Sequence, residues 1–491
     1  MVFMNRKICL CLDVLIVALL LLSSTTNAVS QSVKKQEEWS QERTSQARER
    51  ESIPGEQETM GIVLAAKPAE PAHPPQAPSS YSQFIDPANG SSADDLVRYA
   101  VTHNGELVAA RQMIAEARGR LRQAGLRANP TIESSGTHAV NTPDNMAMIG
   151  AELPLELGGR RTARVTVAQR ELELRDAEVA DFERKLAAEV RTKYGNTISA
   201  ARNLKFTEDL LTLTRDSHRL VQTRVERGKS APLEQNVVFV ELNRVDVMRI
   251  NLEGKTEIAM LELKKSIGML PGDVLLLRGE FETNRQPTTQ NDALRNALAS
   301  RPDLQAARAA ENLAQAQIEQ ARIDGKVDAS IFANYQRQNM GFDVRGFNDA
   351  GALTPVQGIF HYVTFGVRLT LPVRNQNQGN IEAAVAAAEA ARNRREFNEI
   401  VVRNEVAAAY ARFDRAQQAL AVYRGNVRNQ AQLNLDVVQQ TYTLGQKTLI
   451  DYINEQRRFV EIETGYTDAL KEYFDSLVEI ERAAGSPLPT A

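Results

Sequence analysis

The chain has 491 residues with a net charge of −3; 43% are hydrophobic, 25% charged and only 5% aromatic. The near-neutral balance, with no Lys/Arg stripe interleaved with aromatics, gives no reason to expect nucleic-acid binding. Scarce aromatics beside long tracts of Ala, Gln, Arg, Glu and Leu argue for long, narrow helices and against a compact globule around a bulky centre.

In chain order the first element is a leader. Arg6 and Lys7 precede an apolar run over 8–22, and small polar residues at 23–28 lead to a cut after Ala28. This is the layout of a secretory signal peptide, and roughly 15 apolar residues is short for a membrane span. The only cysteines, Cys9 and Cys11, lie inside that run, so the mature chain has no thiol and no site for N-terminal lipid attachment. Residues 29–90 read as a polar tether punctuated by Pro68, Pro71, Pro74, Pro75 and Pro78. Such a segment buries too little apolar area to offset its ordering entropy. No later stretch approaches the ~18 apolar residues of a transmembrane helix, which leaves a periplasmic protein or one crossing the outer membrane as barrel strands.

From there the sequence repeats. Glu-Leu-Val-Ala-Ala-Arg at 106–111 returns as Asp-Leu-Gln-Ala-Ala-Arg at 303–308, 197 positions on. Glu-Val-Arg-Thr-Lys-Tyr at 189–194 returns as Glu-Val-Ala-Ala-Ala-Tyr at 405–410, 216 positions on, and Gly228 returns as Gly445, one position further still. Two copies of one plan are expected, over 91–285 and 286–485, with a tail at 486–491.

Each copy opens with one helix of about 30 residues, over 93–127 and 292–323, behind Ser/Thr/Asn/Asp capping candidates. Two short strands follow. In the second copy Val363, Phe365, Val367, Leu369 and Leu371 alternate with Tyr362, Thr364, Gly366, Arg368 and Thr370, the period of a strand with one apolar and one polar face. The first copy shows the same in Leu153, Leu155 and Leu157, with a weaker partner over 131–139. A very long helix comes next, over 161–227 and again over 380–444. Val165, Leu172, Val179 and Leu186 recur every seven residues, as a coiled-coil seam requires. Breaks at 227–232 and 444–448 lead into returning helices of about 35 residues that end near Gly268 and Gly485.

The fold class expected is mainly α with a small β part. Four strands per chain cannot close a barrel, since small barrels need about eight. An open sheet in lipid leaves unpaired edges. Three chains supply twelve strands, so a homotrimer is the simplest solution, a twelve-stranded outer-membrane β-barrel above an α-helical coiled-coil barrel.

Over 91–485 this duplicated plan resembles the TolC family of outer-membrane efflux channels. Leu-Pro-Val-Arg-Asn-Gln-Asn-Gln-Gly at 371–379, with Pro372, Asn375 and Gly379, resembles the family's strand-to-helix passage. Leu-Pro-Leu-Glu-Leu-Gly-Gly-Arg-Arg at 153–161, with Gly158 and Gly159, is similar to the counterpart in the CzcC-like heavy-metal branch. The resemblance implies a passive exit duct of a tripartite pump, with a periplasmic adaptor, an inner-membrane pump of the RND type, outer-membrane lipid around the barrel, and no cofactor. It implies adaptor-docking tips at Gly228, Leu233, Gly445 and Leu449 and gate contacts at Tyr442 and Lys447. It also implies a pore constriction at Asp451 and Glu234, in which Asn454 stands where a further acid is expected and weakens the ring. Position alone offers another account of Asp451 and Glu234, as acids favoured in the first turn of a helix.

The five histidines, His73, His103, His138, His218 and His361, show no ligand spacing, so no metal site is expected. There is no Gly-x-Ser-x-Gly, phosphate-cradling loop or Cys/His pair, so no enzyme is expected either. Within the family a drug-efflux or type I secretion duct remains open, and outside it a pore-less periplasmic coiled coil.

Overall fold

The computed structural model describes residues 80–486 apart from 141, 143 and 282–284. The leader, most of the tether, His73 and residues 487–491 lie outside the described residues.

Among the described residues one order of elements runs twice, the second time with a long helix interrupted. The first copy contains α1 (Ala93–His103), α2 (Gly105–Ala124), β1 (Thr131–His138), β2 (Asn145–Pro154), α3 (Arg160–Glu226) and α4 (Pro232–Ile267). The second contains α5 (Gln290–Ser300), α6 (Pro302–Asp324), β3 (Asp328–Phe347), β4 (Leu353–Thr370), α7 (Gln378–Val422), a π-helical turn (Tyr423–Val427), α8 (Arg428–Thr443) and α9 (Leu449–Ala484). Side chains repeat with the elements. The Tyr194 hydroxyl donates to the Glu280 carbonyl at 3.1 Å, and that of Tyr410 to Thr288 at 2.6 Å. Arg111 donates to the Val101 carbonyl and Arg308 to that of Leu298, both at 2.8 Å.

At 67 residues, α3 is about 100 Å long at ~1.5 Å per residue. Like most protein helices it draws its stability chiefly from packing, here along its apolar seam. Val179 and Leu186 are buried along that seam, and Val165 and Leu172 half-buried. Midway, Tyr194 and Ile198 join Met260, Leu263 and Ile267 of α4 and Phe474 of α9 in the main core, while Leu304, Val402, Val406, Leu477 and Ile480 form a second core in the other copy.

Four expectations need correction. The tether ends earlier than residue 90: Ser80–Gln83 is a short 3₁₀ helix, and Ile85 is buried and bridges Leu277. Each opening helix is two helices. In the first copy the Asn104 side chain competes with the helical backbone, accepting from Leu107 N and donating to the Ser266 carbonyl, both at 2.9 Å. In the second, Pro302 lacks an N–H and pushes Arg301 to an extended conformation. β2 stops at Pro154, so Leu155 and Leu157 are not strand residues, and Glu156 takes a left-handed conformation at φ 48°.

The last correction is the π turn inside the second long helix. The two copies stay 216 positions apart through buried Leu204 and Leu420, and are 217 apart by Gly228 and Gly445. One residue has been gained between them, and a π turn is what one extra residue makes of an α-helix. Gly465 of α9 faces this turn, where a Cβ would meet the Tyr423 hydroxyl at 2.5 Å.

The sheet is antiparallel in the order β1-β2-β3-β4, so β1 and β4 are free edges in the protomer. Register places Ile149, Tyr335 and Val363 in one row, Ala151, Ala333 and Phe365 in the next, and Leu153, Ile331 and Val367 in a third. All lie on one face. The other face carries Asn334, Thr364, Gln336, Ser330, Glu152 and Arg368.

Candidate functional site: an open sheet and two helical tips

The apolar face of the sheet is far from any core of the protomer: Phe365 is 80% exposed, and Val363, Val367 and Leu369 more than half exposed. From Ile359 to Leu369 the strand rises ~34 Å, or ~24 Å along a membrane normal at the usual ~45° tilt. That matches the ~25 Å apolar band of an outer-membrane barrel. The opposite face is charged where the sheet meets the helices. There the Glu152 carboxylate accepts from Ser330 and Arg368, and the Arg368 guanidinium lies 5.7 Å over the Phe332 ring.

Each strand-to-helix passage is fastened by its own polar residues. Gly158 and Gly159 both take φ values near the left-handed region, at 70° and 85°, which frees the next residues to turn back under the sheet. Arg160 then donates to the Asp324 and Lys326 carbonyls at 3.1 and 2.8 Å, and Arg161 and Arg164 to those of Gly125 and Ala124 at 2.7 and 3.0 Å. The three arginines thus satisfy orphan carbonyls at the C-terminal ends of α6 and α2, where a helix favours cations. In the other passage Asn377, at φ 63°, donates to the Ala321 carbonyl at 2.8 Å and accepts from Asn380. Its amide is held by Asn375, and Pro372 and Gly379 flank the turn. The capping arginines and Asn377 were missed in the sequence, although Arg-Arg directly after Gly-Gly is the signal that could have found them.

At the opposite ends of the long helices lie two tips of one design. Gly228 and Gly445 adopt φ 66° and 78°. Lys229 N donates to the Arg224 carbonyl at 2.8 Å and Gly228 N to Val225 at 2.9 Å; Gln446 N and Gly445 N repeat the pattern on Thr441 and Tyr442 at 2.9 and 3.0 Å. Both helices therefore end in a Schellman motif whose left-handed position suits glycine. The next helices start differently. Pro232 opens α4 without a side-chain cap, whereas Thr448 and Asp451 form a capping box at the start of α9. The Asp451 carboxylate accepts from Thr448 N at 3.0 Å and from its hydroxyl at 2.8 Å. These bonds, with the Lys447 charge, hold the carboxyl below the usual range for aspartate.

Between the tips sits a small core of Val221, Val238, Leu435, Tyr442, Leu449 and Tyr452. The Tyr442 and Tyr452 rings stack at 5.9 Å, with Arg224 at 5.6 Å from the Tyr442 ring. Both hydroxyl oxygens are buried, and among the described residues only Arg224 beside Tyr442 and Ser217 beside Tyr452 approach them, neither in good hydrogen-bond geometry. Burial, then the charge of Glu234, pushes the Tyr442 phenol up, against the opposing pull of Arg224. Leu449, expected to face a docking partner, is only 5% exposed: as the first residue after its cap it turns into this core. Leu233 at 70%, Leu444 at 73% and Ile450 at 61% are apolar side chains that the tips present. Asp451, Asn454 and Lys447 are exposed, and Glu234 is half-buried.

Of the histidines, His103 stacks on Tyr99 at 4.0 Å, His218 tilts against Phe239, His361 hydrogen-bonds the Tyr335 hydroxyl at 2.7 Å, and His138 ends β1. Among the described residues no three His, Cys, Asp or Glu gather as a metal site, and no helix is long and apolar enough to cross a membrane.

An amphipathic sheet with unpaired edges, mounted on paired helices of about 100 Å, defines one protomer of a membrane channel. Residues 96–269 and 293–486 match the outer membrane efflux protein family, and the chain belongs to it. It is therefore an outer-membrane efflux channel with a large periplasmic helical part, a passive duct and not an enzyme. A curated relative, the cobalt-zinc-cadmium resistance protein CzcC of Cupriavidus metallidurans, is 21% identical over 79% of this chain and 88% of its own. Among solved structures, CusC superposes with a TM-score of 0.66 at 17% identity, covering 86% of this chain and 99% of its own. The open-state MtrE channel of Neisseria gonorrhoeae gives 0.63 at 18%, covering 89% and 98%.

Proposed function

We propose that three copies of the chain assemble into an exit duct for divalent heavy-metal cations, coupled through a periplasmic adaptor to an RND-type inner-membrane pump. The observation that carries the assembly is the four-stranded sheet, apolar on one face and open at both edges. Lipid can cover the face, but only strands of neighbouring copies can satisfy the edges. The cargo reading rests on the likeness to CzcC. In this reading Gly228, Leu233 and Gly445 form the adaptor-docking tips, now without Leu449. Tyr442 and Lys447 hold the closed gate. Asp451 and Glu234, repeated around the axis, form a constriction that attracts cations, and Asn454 keeps its charge moderate. Such a ring fits a duct that must release as well as admit its cargo.

The test is growth of a strain lacking this protein on zinc, cobalt and cadmium salts, hydrophobic drugs and bile salts. Selective metal sensitivity, restored by the intact chain and not by Asp451→Lys, is the expected result. Drug sensitivity with unchanged metal tolerance would overturn the cargo and leave the duct in place.

A further inference from the structure

Directly beneath the sheet, each repeat carries a cleft in the same place. One, of about 490 Å³, lies between the end of α2 and the passage into α3, lined by Arg120, Leu126, Arg127, Glu156, Arg164 and Glu171. The other, of about 530 Å³, lies between the end of α6 and the passage into α7, lined by Arg322, Lys326, Val327, Pro372 and Gln376. A third, of about 570 Å³, runs along the sheet between Leu153, Ile331, Ala333, Phe365 and Val367 and is almost wholly apolar.

The charges in the two lower clefts do not cancel. Arg164 is paired with Glu156 at 2.5 Å, Arg120 with Glu171 at 2.7 Å, and Arg322 with Glu319 at 2.6 Å. Arg127 and Lys326 have no side-chain partner among the described residues, and both are exposed. Each cleft therefore holds one surplus cation, although the chain as a whole carries a net charge of −3. Position makes this meaningful. Arg127 lies four residues before the first residue of β1, and Lys326 two before β3. Both thus sit at the depth where the hydrocarbon gives way to headgroups. Exposed Leu126, Val327, Leu371 and Val373 surround them.

We propose that these duplicated clefts bind the anionic headgroups of phospholipids in the periplasmic leaflet, Arg127 and Lys326 each holding a phosphate while acyl chains rise along the apolar sheet. A phosphate oxygen accepts charge-assisted hydrogen bonds from either cation. The duplication provides two sites per protomer and puts a ring of lipid at the joint between barrel and helices. That joint is where the chain passes from sheet to helix through short turns held largely by side-chain bonds, to carbonyls and to carboxylates, so bound lipid shields those bonds from water.

The test uses the purified full-length channel in micelles containing phosphatidylglycerol and phosphatidylethanolamine in equal amounts, with retained lipid counted by native mass spectrometry. Phosphatidylglycerol is expected to be retained preferentially. Arg127→Gln and Lys326→Gln should each lower its occupancy about fivefold, the usual contribution of one cation near an anionic surface. Arg412→Gln, on an exposed face of α7, should leave it unchanged. Three results would overturn the proposal. One is equal retention of the two lipids. The second is displacement by millimolar inorganic phosphate, which would make these free-anion sites. The third is loss of the assembly in the two variants at unchanged lipid content, which would assign both cations to contacts between copies.

Discussion

Arg301 offers the sharpest test of how the helical part is held together. Its guanidinium, only 2% exposed, sits where Pro302 breaks the opening helix of the second copy. It bonds Asp303 from Nε at 2.9 Å, the Ala483 carbonyl from Nη1 at 3.1 Å, and Glu405 from Nη2. One side chain thus ties α6, α7 and α9 together. Replacing it with Met keeps most of the stem and removes every bond. Breaking a buried ion pair costs ~3–5 kcal/mol. Here the cost is smaller, because Asp303 and Glu405 are about a quarter exposed and retain weak second partners, Arg184 at 3.7 Å and Arg482 at 3.6 Å. About 2–3 kcal/mol is expected, or a thermal midpoint lower by about 2–4 °C for a chain of this size. Melting followed by circular dichroism at neutral pH reads this directly. Arg301→Met/Glu405→Gln should lose less than the two single variants combined, by about 1 kcal/mol or more. A single variant melting within a degree of the wild type would refute the argument, reducing the guanidinium to filler.

The tips separate packing from docking. Leu449→Ala should cost ~2–3 kcal/mol in melting, whereas Leu444→Ala, at an exposed position, should stay within ~0.5 kcal/mol yet lose cross-linking to the adaptor. On the sheet, Phe365→Lys should block assembly in the outer membrane, since a cation near mid-bilayer on a lipid face costs ~2–4 kcal/mol. Thr364→Lys, on the opposite face, should assemble normally; equal behaviour of the two in heat-modified gel mobility would contradict the assignment of faces. Acid stability should depend on Asp94. Its burial opposes the charge but is outweighed by Arg285 and Arg191, so its folded pKa lies below the unfolded one. That stabilisation is complete above the unfolded value near 4 and lost as pH falls through the folded value. Asp94→Asn should flatten the acid limb of a stability–pH curve, and an unchanged limb would rule the cluster out.

Much of this architecture was legible because it is periodic. The seven-residue recurrence of Val165, Leu172, Val179 and Leu186 and the two-residue alternation of Val363 to Leu369 each project onto a face, and faces survive in three dimensions. The misreadings fall where a single residue decides. Asn104 and Arg301 break helices whose apolar pattern runs straight through, because a side-chain hydrogen bond or a proline outweighs the weak preference of the surrounding residues. Leu449 looked like a tip residue because it is near one. Only the cap at Thr448 fixes which way its side chain turns.

The duplication shows best why such single residues matter. The two long hairpins share their tips, their tyrosine anchors and their closing glycines, yet α3 runs unbroken while its counterpart is interrupted at Tyr423–Val427. The one residue gained there would rotate everything beyond it by about 100° in a regular α-helix, carrying Ala431, Leu435 and Tyr442 off the buried face. The π turn absorbs that rotation locally. The small Gly465 opposite makes room for Tyr423, and Tyr466 is held between Arg202 at 5.3 Å and Arg428 at 5.2 Å. The second hairpin therefore keeps its tip core through a wider, less regular turn, where a helix is locally easier to deform. If either tip swings when the duct opens, the sequence has put its weakest helical joint in the second repeat. That same repeat carries the capped Asp451 and the exposed Lys447.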